Sequence, residues 1–476
     1  MTTLERHLTD GPEIDRSRLD RLRGHFAGRL LQPGDDDYDA ARRVWNGRID
    51  ARPALVARCT GAADVTAALR LARELDLPVT VRGGGHGVNG SAVADGAVTL
   101  DLSPMKQVAV DPAARRVRAG AGVLWGELDA ATQAHGLATT GGTVSSVGIG
   151  GLTLAGGFGH LMRRHGLTVD NLLAVDLVTV DGERRRVDAT SEPELFWGLR
   201  GGGGNFGVAT AFTYALHPVG PQILGGPVYW PLDQARLVLQ ALAALGPTAP
   251  DELGIVLVVQ PAPPVPFLPA EQHGRPVLGL LLTWCGDPAD GERALAPFRS
   301  LGRPLADRVG PVPYARLQTL LDGGAPAGRG YYWRSTRLPS LPDTAIDRVL
   351  ALADTFPSPY SLISGWVVGG AVSRVPAEAT AVGAREPGFE LRVIAGWAPD
   401  DPDPDRHLRW VRDGWASLHA CGEGRQYATF LSDEGLAGVR AAFGPQLPRL
   451  VALKSRWDPT NVFSSNVNLP TTGGTK

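Results

Sequence analysis

Short apolar runs alternate with helical patterns along the first half of the chain. PALVARC (residues 53–59) reads as a strand, and TGAADVTAALRLARELD (60–76) as a helix. In that helix Val65, Leu69, Leu71 and Ala72 recur on one face, and Thr60 is the expected N-cap. LPVTVRGGGHG reads as a strand running into a glycine turn. AVTLDLSPM and KQVAVDPAARRVRAGAG predict further strands, with a turn at Asp111-Pro112. Residues 122–136 predict a helix closed at Gly136. A strand pair flanks Asp181-Gly182, and EPELFWGLR predicts a short helix, followed by GGGGNFG and the strand VATAFTYAL. From about residue 219 the pattern changes. Alternating strands (GIVLVVQ, PVLGLLLTW, FELRVIAGW) mix with the helical stretches DQARLVLQALAAL and TAIDRVLALADTF. The proline-rich run at 260–276 predicts a surface loop between two strands. Residues 16–45 and the last 45 residues are helical in pattern. The chain divides into residues 1–218, an α+β segment 219–430, and a tail 431–476. Pattern alone leaves open whether the tail returns to the first part.

Composition sharpens this picture through glycine. The 476 residues include 61 Gly and 38 Pro, well above the usual shares of roughly 7% and 5%. No G-X-Y period appears, and 43% hydrophobic content argues against disorder. The formal charge of −2 provides no basic field for nucleic acid or an anionic membrane. Cys59, Cys285 and Cys421 are odd in number and far apart, which suits neither a disulfide framework nor a zinc site. The N-terminal MTTLERHLTD has no apolar core, and no apolar run reaches 18 residues. A soluble cytoplasmic protein is expected.

The glycine excess concentrates in three clusters: Gly83–Gly90, Gly141–Gly159 and Gly201–Gly207. The first and third contain G-x-G-x-x-G. A dinucleotide fingerprint requires a strand before that motif and a helix after it. The first cluster is followed by a strand pattern, and the third lies between a helix and a strand, so both fail. The physical capacity of such loops remains: bare backbone N–H groups approach phosphate oxygens closely. The plain alternative is tight turns in a β-rich domain. His86 lies among residues with almost no side chains, placing its ring at whatever the glycines approach. As a base, ligand or nucleophile it has the required chemistry. No metal-spaced partners accompany it: His160 and His165 are five apart, off the i, i+4 spacing of a helical metal pair.

Four segments together, VRGGGHGVNG, TVSSVGIGGLTLAGGFGHLMRRHGLTVDNL, LFWGLRGGGGNFGVAT and KSRWDPTNVFSSNVNLP, resemble the berberine-bridge-enzyme-like FAD-linked oxidases of the vanillyl-alcohol-oxidase/PCMH flavoprotein superfamily. The similarity runs from about residue 35 to 470, is weakest across 220–420, and looks closest to the bacterial secondary-metabolism branch. It implies an α+β fold: a PCMH-type FAD-binding domain of two α+β subdomains, and a substrate domain with a helix-covered antiparallel sheet. It also implies FAD bonded covalently through His86 to the flavin 8α-methyl. Arg82, Gly83, Gly84, Gly85, Gly87, Gly90 and Ser91 would cradle the pyrophosphate. Thr140, Gly142, Val144, Ser145, Gly148 and Gly151 would run along the ring, with Gly142 on its oxygen side. Gly207 and Val208 would lie near adenine, and Asn466 and Asn468 would reach back from the tail.

Two departures from the family are informative. Many members place a second flavin-linking cysteine where this chain has Val144, so one covalent bond is expected. The family's Tyr-x-Asn motif reads Tyr427-Ala428-Thr429, which keeps the tyrosine but not its asparagine. The implied reaction is hydride transfer from a small-molecule substrate to flavin N5, with O2 reoxidation to H2O2. Tyr427 is the candidate base, provided its pKa of about 10 falls. GRGYYWRS places Tyr331, Tyr332 and Trp333 among the candidate substrate-face aromatics, with Tyr314 and Trp366, and a half-buried strand explains that run equally well. Tyr332 and Trp333 join Tyr427 as candidate catalytic residues. An alcohol or phenol-type secondary metabolite is the expected substrate. An oligosaccharide oxidase and a flavin-dependent cyclase without net turnover are the alternatives. A monomer or homodimer without resident metal is expected.

Overall fold

A computed structural model describes residues 14–465 and 467–472. It has the α+β architecture expected. A four-stranded sheet is built from Arg29–Leu31, Leu55–Arg58, Val98–Asp101 and Val79–Arg82 in that spatial order, the last three mutually parallel. The helix Ala62–Glu74 follows the second of these strands. It buries Val65, Ala68, Leu69, Leu71 and Ala72, the face that periodicity marks. Its start differs from expectation. Gly61 is the N-cap, because the buried Asp64 carboxylate reaches back to accept from the Thr60 N–H and hydroxyl, each at 2.8 Å. A five-stranded antiparallel sheet comes next, ordered Val108–Asp111, Arg116–Gly120, Val208–Ala215, Leu172–Val178, Arg184–Asp188. One apolar core joins both sheets.

The second half is a large antiparallel sheet. Gln222–Pro231, Pro276–Trp284, Leu253–Pro261, Leu362–Val368, Gly388–Trp397 and Gly330–Leu338 are neighbours in that order. The proline-rich run does connect two paired strands, as the sequence predicts. Side chains alternate between the two faces with period two. One face carries Tyr332, Leu338, Phe389, Leu391 and Val393 into a core capped by the helices Ala235–Leu245, Asp343–Ala353 and Pro404–His419. The other carries Tyr331, Trp333, Trp366 and Ile394 into a cluster with Trp45, Phe158 and Tyr427. Buried on both faces, these strands read as long apolar runs.

The tail packs against the first half. The helix Leu447–Trp457 lies on Pro193–Leu199, so closely that a Cβ on Gly198 would meet Leu453 Cδ2 at 2.2 Å. Lys454, fully buried, donates to the Asn205 carbonyl at 3.1 Å and to Asp458 at 2.5 Å. Asn205 in turn donates to the Val467 carbonyl and accepts from the Leu469 N–H.

Candidate active site

The three glycine clusters fold as bare loops. The first leaves the strand Val79–Arg82 with Gly85 at φ +65° and Gly90 at φ +73°, a region that favours glycine. It crosses the second cluster in direct backbone contact. A Cβ on Gly84 would lie 2.4 Å from the Gly148 nitrogen, and one on Gly148 would lie 2.4 Å from the Gly84 nitrogen. The third cluster follows the helix Pro193–Leu199 and enters the strand Val208–Ala215. The flanking elements therefore have the non-Rossmann order that the sequence indicates.

These loops form one wall of a cavity of about 1090 Å³, and the large sheet forms another. Gly83, Gly84, Gly85, His86, Gly87, Ser91, Gly142, Val144, Gly148, Gly151 and Gly207 line it, as do Trp333 and Tyr427. Other expected residues stand back. Arg82 donates to the Ala41 carbonyl beneath the first loop. Gly90 packs over Ile49. Thr140 is buried, donating to the Gly166 carbonyl, and Val208 is buried in the first-half core. Ser145 is held by Asp322, which accepts from its N–H at 2.8 Å and its hydroxyl at 2.6 Å. Asn468 has a buried Oδ1 without a partner among the described residues. Asn466 lies outside the described residues.

Tyr332 requires a correction. Strand alternation sends it to the face opposite Tyr331 and Trp333, where its hydroxyl donates to Asp433 at 2.7 Å and accepts from Arg334 at 3.0 Å. It does not reach the cavity. Tyr314 is also elsewhere, in a small cluster with Leu161, Cys285 and Leu317.

His86 stacks on Trp45, with ring centroids 4.2 Å apart, and Trp45 stacks on Tyr331 at 3.9 Å. Its Nε2 is buried and without a partner among the described residues. Burial pushes its pKa from the ordinary 6.5 down to about 4, so the ring is neutral and nucleophilic at neutral pH. Bare loops in contact, plus a neutral imidazole on the wall of the same cavity, fit a long anionic flavin nucleotide.

Tyr427 is buried, with its hydroxyl accepting from the Gly157 N–H at 2.5 Å. Burial pushes its pKa well above 10, and the Thr429 hydroxyl and Gly157 amide offset this only in part. The lowered pKa that a tyrosinate base needs is therefore absent. Thr429, in place of the asparagine, donates to the Ala155 carbonyl at 3.2 Å. Two residues escaped sequence reasoning. Arg392 lines the cavity beneath Trp366, Phe430 and Trp333. Glu390, two positions away on the same face, is buried with an unpartnered Oε1, and burial pushes its pKa up to about 7. Charges at 390 and 392 inside the apolar FELRVIAGW run were the available signal.

A glycine-walled cavity with a neutral histidine on its wall suits a flavin nucleotide, and comparison with known proteins gives the family. Residues 53–188 match the FAD-binding domain model and residues 433–470 the berberine and berberine-like model. An FAD-linked oxidoreductase of Dictyostelium discoideum is 31% identical over 93% of this chain and 94% of its own. The (R)-6-hydroxynicotine oxidase of Paenarthrobacter nicotinovorans is 30% identical over 94% and 97%. The crystal structure of 6-hydroxy-D-nicotine oxidase from Arthrobacter nicotinovorans superposes with a TM-score of 0.84, at 28% identity over 93% of this chain and 98% of that one. The chain belongs to the berberine-bridge-enzyme-like family of FAD-linked oxidoreductases and is an FAD-dependent oxidase.

Among the described residues no helix is long and apolar enough to cross a membrane, and no His/Cys/Asp/Glu group is arranged to hold a metal.

Proposed function

We propose that this protein is a cytoplasmic oxidase with FAD tethered by a single covalent bond, through His86. It oxidises an alcohol or phenol-type secondary metabolite. The FAD half is residues 1–218 with the returning tail 431–476, and 219–430 forms the substrate half. The observation that carries the reading is the neutral His86 imidazole on the glycine-walled cavity, with its buried Nε2 lacking a partner among the described residues. Val144, also on that wall, has no thiol for a second bond. Bound flavin supplies hydride acceptance and reoxidation by O2 to H2O2. The first and second glycine loops hold the pyrophosphate and ring, and Asn468 closes the site from the tail.

The protein's own groups then position the substrate and manage its proton. Trp333, Trp366 and Phe430 enclose the sheet side and exclude water. Tyr427 stays protonated at neutral pH and orients a substrate hydroxyl by hydrogen bonding. Glu390, buried behind that wall, helps keep Tyr427 protonated by raising its pKa further. The test is acid precipitation. The unmutated protein should keep its yellow colour in the pellet, while His86→Ala should release FAD to the supernatant. Release from the unmutated protein would refute the tether. A spectral screen of alcohols, phenols and oligosaccharides, bleaching without air and recovering with it, distinguishes the alcohol reading from a sugar oxidase and from a cyclase.

A further inference from the structure

On the cavity face of the large sheet, Arg392 pairs in register with Ser335 on one side and Ser364 on the other. Its guanidinium carbon lies 4.4 Å from the Trp366 ring centroid, 4.5 Å from Phe430 and 5.4 Å from Trp333. Its Nε and Nη2 donate to Ser364 Oγ at 3.3 and 3.1 Å. Nη1 makes no hydrogen bond to any described residue, and the half-buried side chain lines the cavity. Three rings thus restrict the cation, while one serine satisfies part of its donor edge. A planar guanidinium held this way loses little entropy when a second oxygen arrives.

Charge around the cavity favours an anion there. Among the described residues no Asp or Glu lines it, whereas Arg308, Arg316 and Arg392 do. The nearest acid along the strand, Glu390, forms no ion pair with Arg392 among the described residues, and burial holds it toward the neutral form. Arg392 is therefore a partly desolvated cation without an ion-pair partner among the described residues, an arrangement that costs stability unless a ligand completes it. The pyrophosphate of a flavin nucleotide belongs to the glycine loops, and Arg392 stands on the sheet among aromatic and aliphatic groups, including Ile394 and Leu362.

We propose that Arg392 is the specificity-determining residue of this oxidase and selects substrates that carry an anionic oxygen, a carboxylate or an enolate, on a flat apolar body. The proposal rests on the reading of this cavity as the oxidase site. The anionic oxygen accepts from Nη1 and from the open edge of Nη2, and the body lies along Trp333 and Trp366. A charge-assisted hydrogen bond in a dry site contributes at least about tenfold in affinity.

The test titrates purified holoprotein with benzoate and with benzamide, its neutral counterpart. Both the flavin absorbance bands and tryptophan fluorescence are followed. Benzoate should bind at least about tenfold more tightly. Arg392→Gln should bring the two within twofold, and Arg392→Lys should keep part of the preference. Arg392→Met, which retains the apolar stem between the rings, serves where Arg392→Gln does not fold. Equal affinities in the unmutated protein, no measurable benzoate binding, or a preference that survives both neutral substitutions would overturn the proposal. A colourless protein would instead refute the FAD reading, and tryptophan fluorescence would still decide the anion preference.

Discussion

Lys454 offers the sharpest test of how the tail closes on the first half of the chain. Its ammonium is fully buried and divides its donors among the Asn205 carbonyl at 3.1 Å, the Phe463 carbonyl at 3.1 Å and Asp458 at 2.5 Å. The Asp458 carboxylate, equally buried, also accepts from the Val462 and Phe463 N–H groups. Lys454→Met keeps the stem and removes the charge. Asp458 then stays buried without its counter-ion, which costs about 3–5 kcal/mol. At about 1.4 kcal/mol per factor of ten, the opened population around 447–465 rises roughly 10²- to 10⁴-fold. Hydrogen exchange followed by mass spectrometry reads this directly, because the loss is local before it is global. The glycine segment 198–207 should lose protection with the tail, since Asn205 joins the two. Lys454→Met with Asp458→Asn should be milder than Lys454→Met alone, because the second change removes the orphaned charge. Exchange rates within about threefold of the unmutated protein, or a double variant worse than the single, would refute the argument.

Gly84→Ala puts a Cβ against the Gly148 backbone, which cannot yield as a side chain does, so the two loops must part. FAD content should fall at least tenfold on purification, while Gly323→Ala, with open space at its Cβ, should load normally. Tyr427→Phe should keep its FAD and slow anaerobic flavin reduction in stopped-flow absorbance. An unchanged rate would remove Tyr427 from the mechanism. His160 and His165 have pKa values that burial lowers to about 4 and about 3. The unfolded chain therefore binds more protons below pH 6.5, and stability contributed by these neutral rings is lost as pH falls from about 6.5 toward 4. Asp129 and Glu390, both raised to about 7, act with the opposite sign over about pH 4 to 7. A His160→Gln variant isolates the histidine: its thermal midpoint should fall less between pH 6.5 and 4.5 than that of the unmutated protein, and an identical slope would refute the assignment.

What was legible in the sequence was mostly local. Glycines at positive φ and strands broken by Asp-Pro and Asp-Gly turns are properties of a few adjacent residues. So is the order of elements around each glycine cluster, which excluded a Rossmann fingerprint. Errors came where a decision depends on the third dimension. Tyr332 and Trp333 are adjacent on a strand, and period two allows only one of them to face a given cavity. The sequence did not say which. Thr60 has a capping side chain, but a buried Asp64 claims its N–H from within the helix. The tyrosine base failed for an environmental reason, since burial among Phe158 and Phe430 raises the very pKa that the role required lowered.

The location of the cavity follows from how the two halves are joined. Apolar contact alone tolerates sliding, yet this seam is fastened by groups that demand one geometry. Asn46, fully buried in the first half, donates to the Val88 and Tyr331 carbonyls and accepts from the Tyr331 N–H. Arg385 makes a two-point, almost fully buried ion pair with Asp170 at 2.7 and 2.9 Å. Asp322 holds both donors of Ser145, and Trp45 inserts between His86 and Tyr331. Unpaired, each of these polar groups would carry a desolvation cost, so the halves are stable in one register only. That register sets the glycine loops opposite the alternate residues of the large sheet. The space between is walled by backbone on one side and by aromatics around the half-buried Arg392 on the other. The polar seam thus fixes the distance between the glycine loops and the cavity face of the sheet.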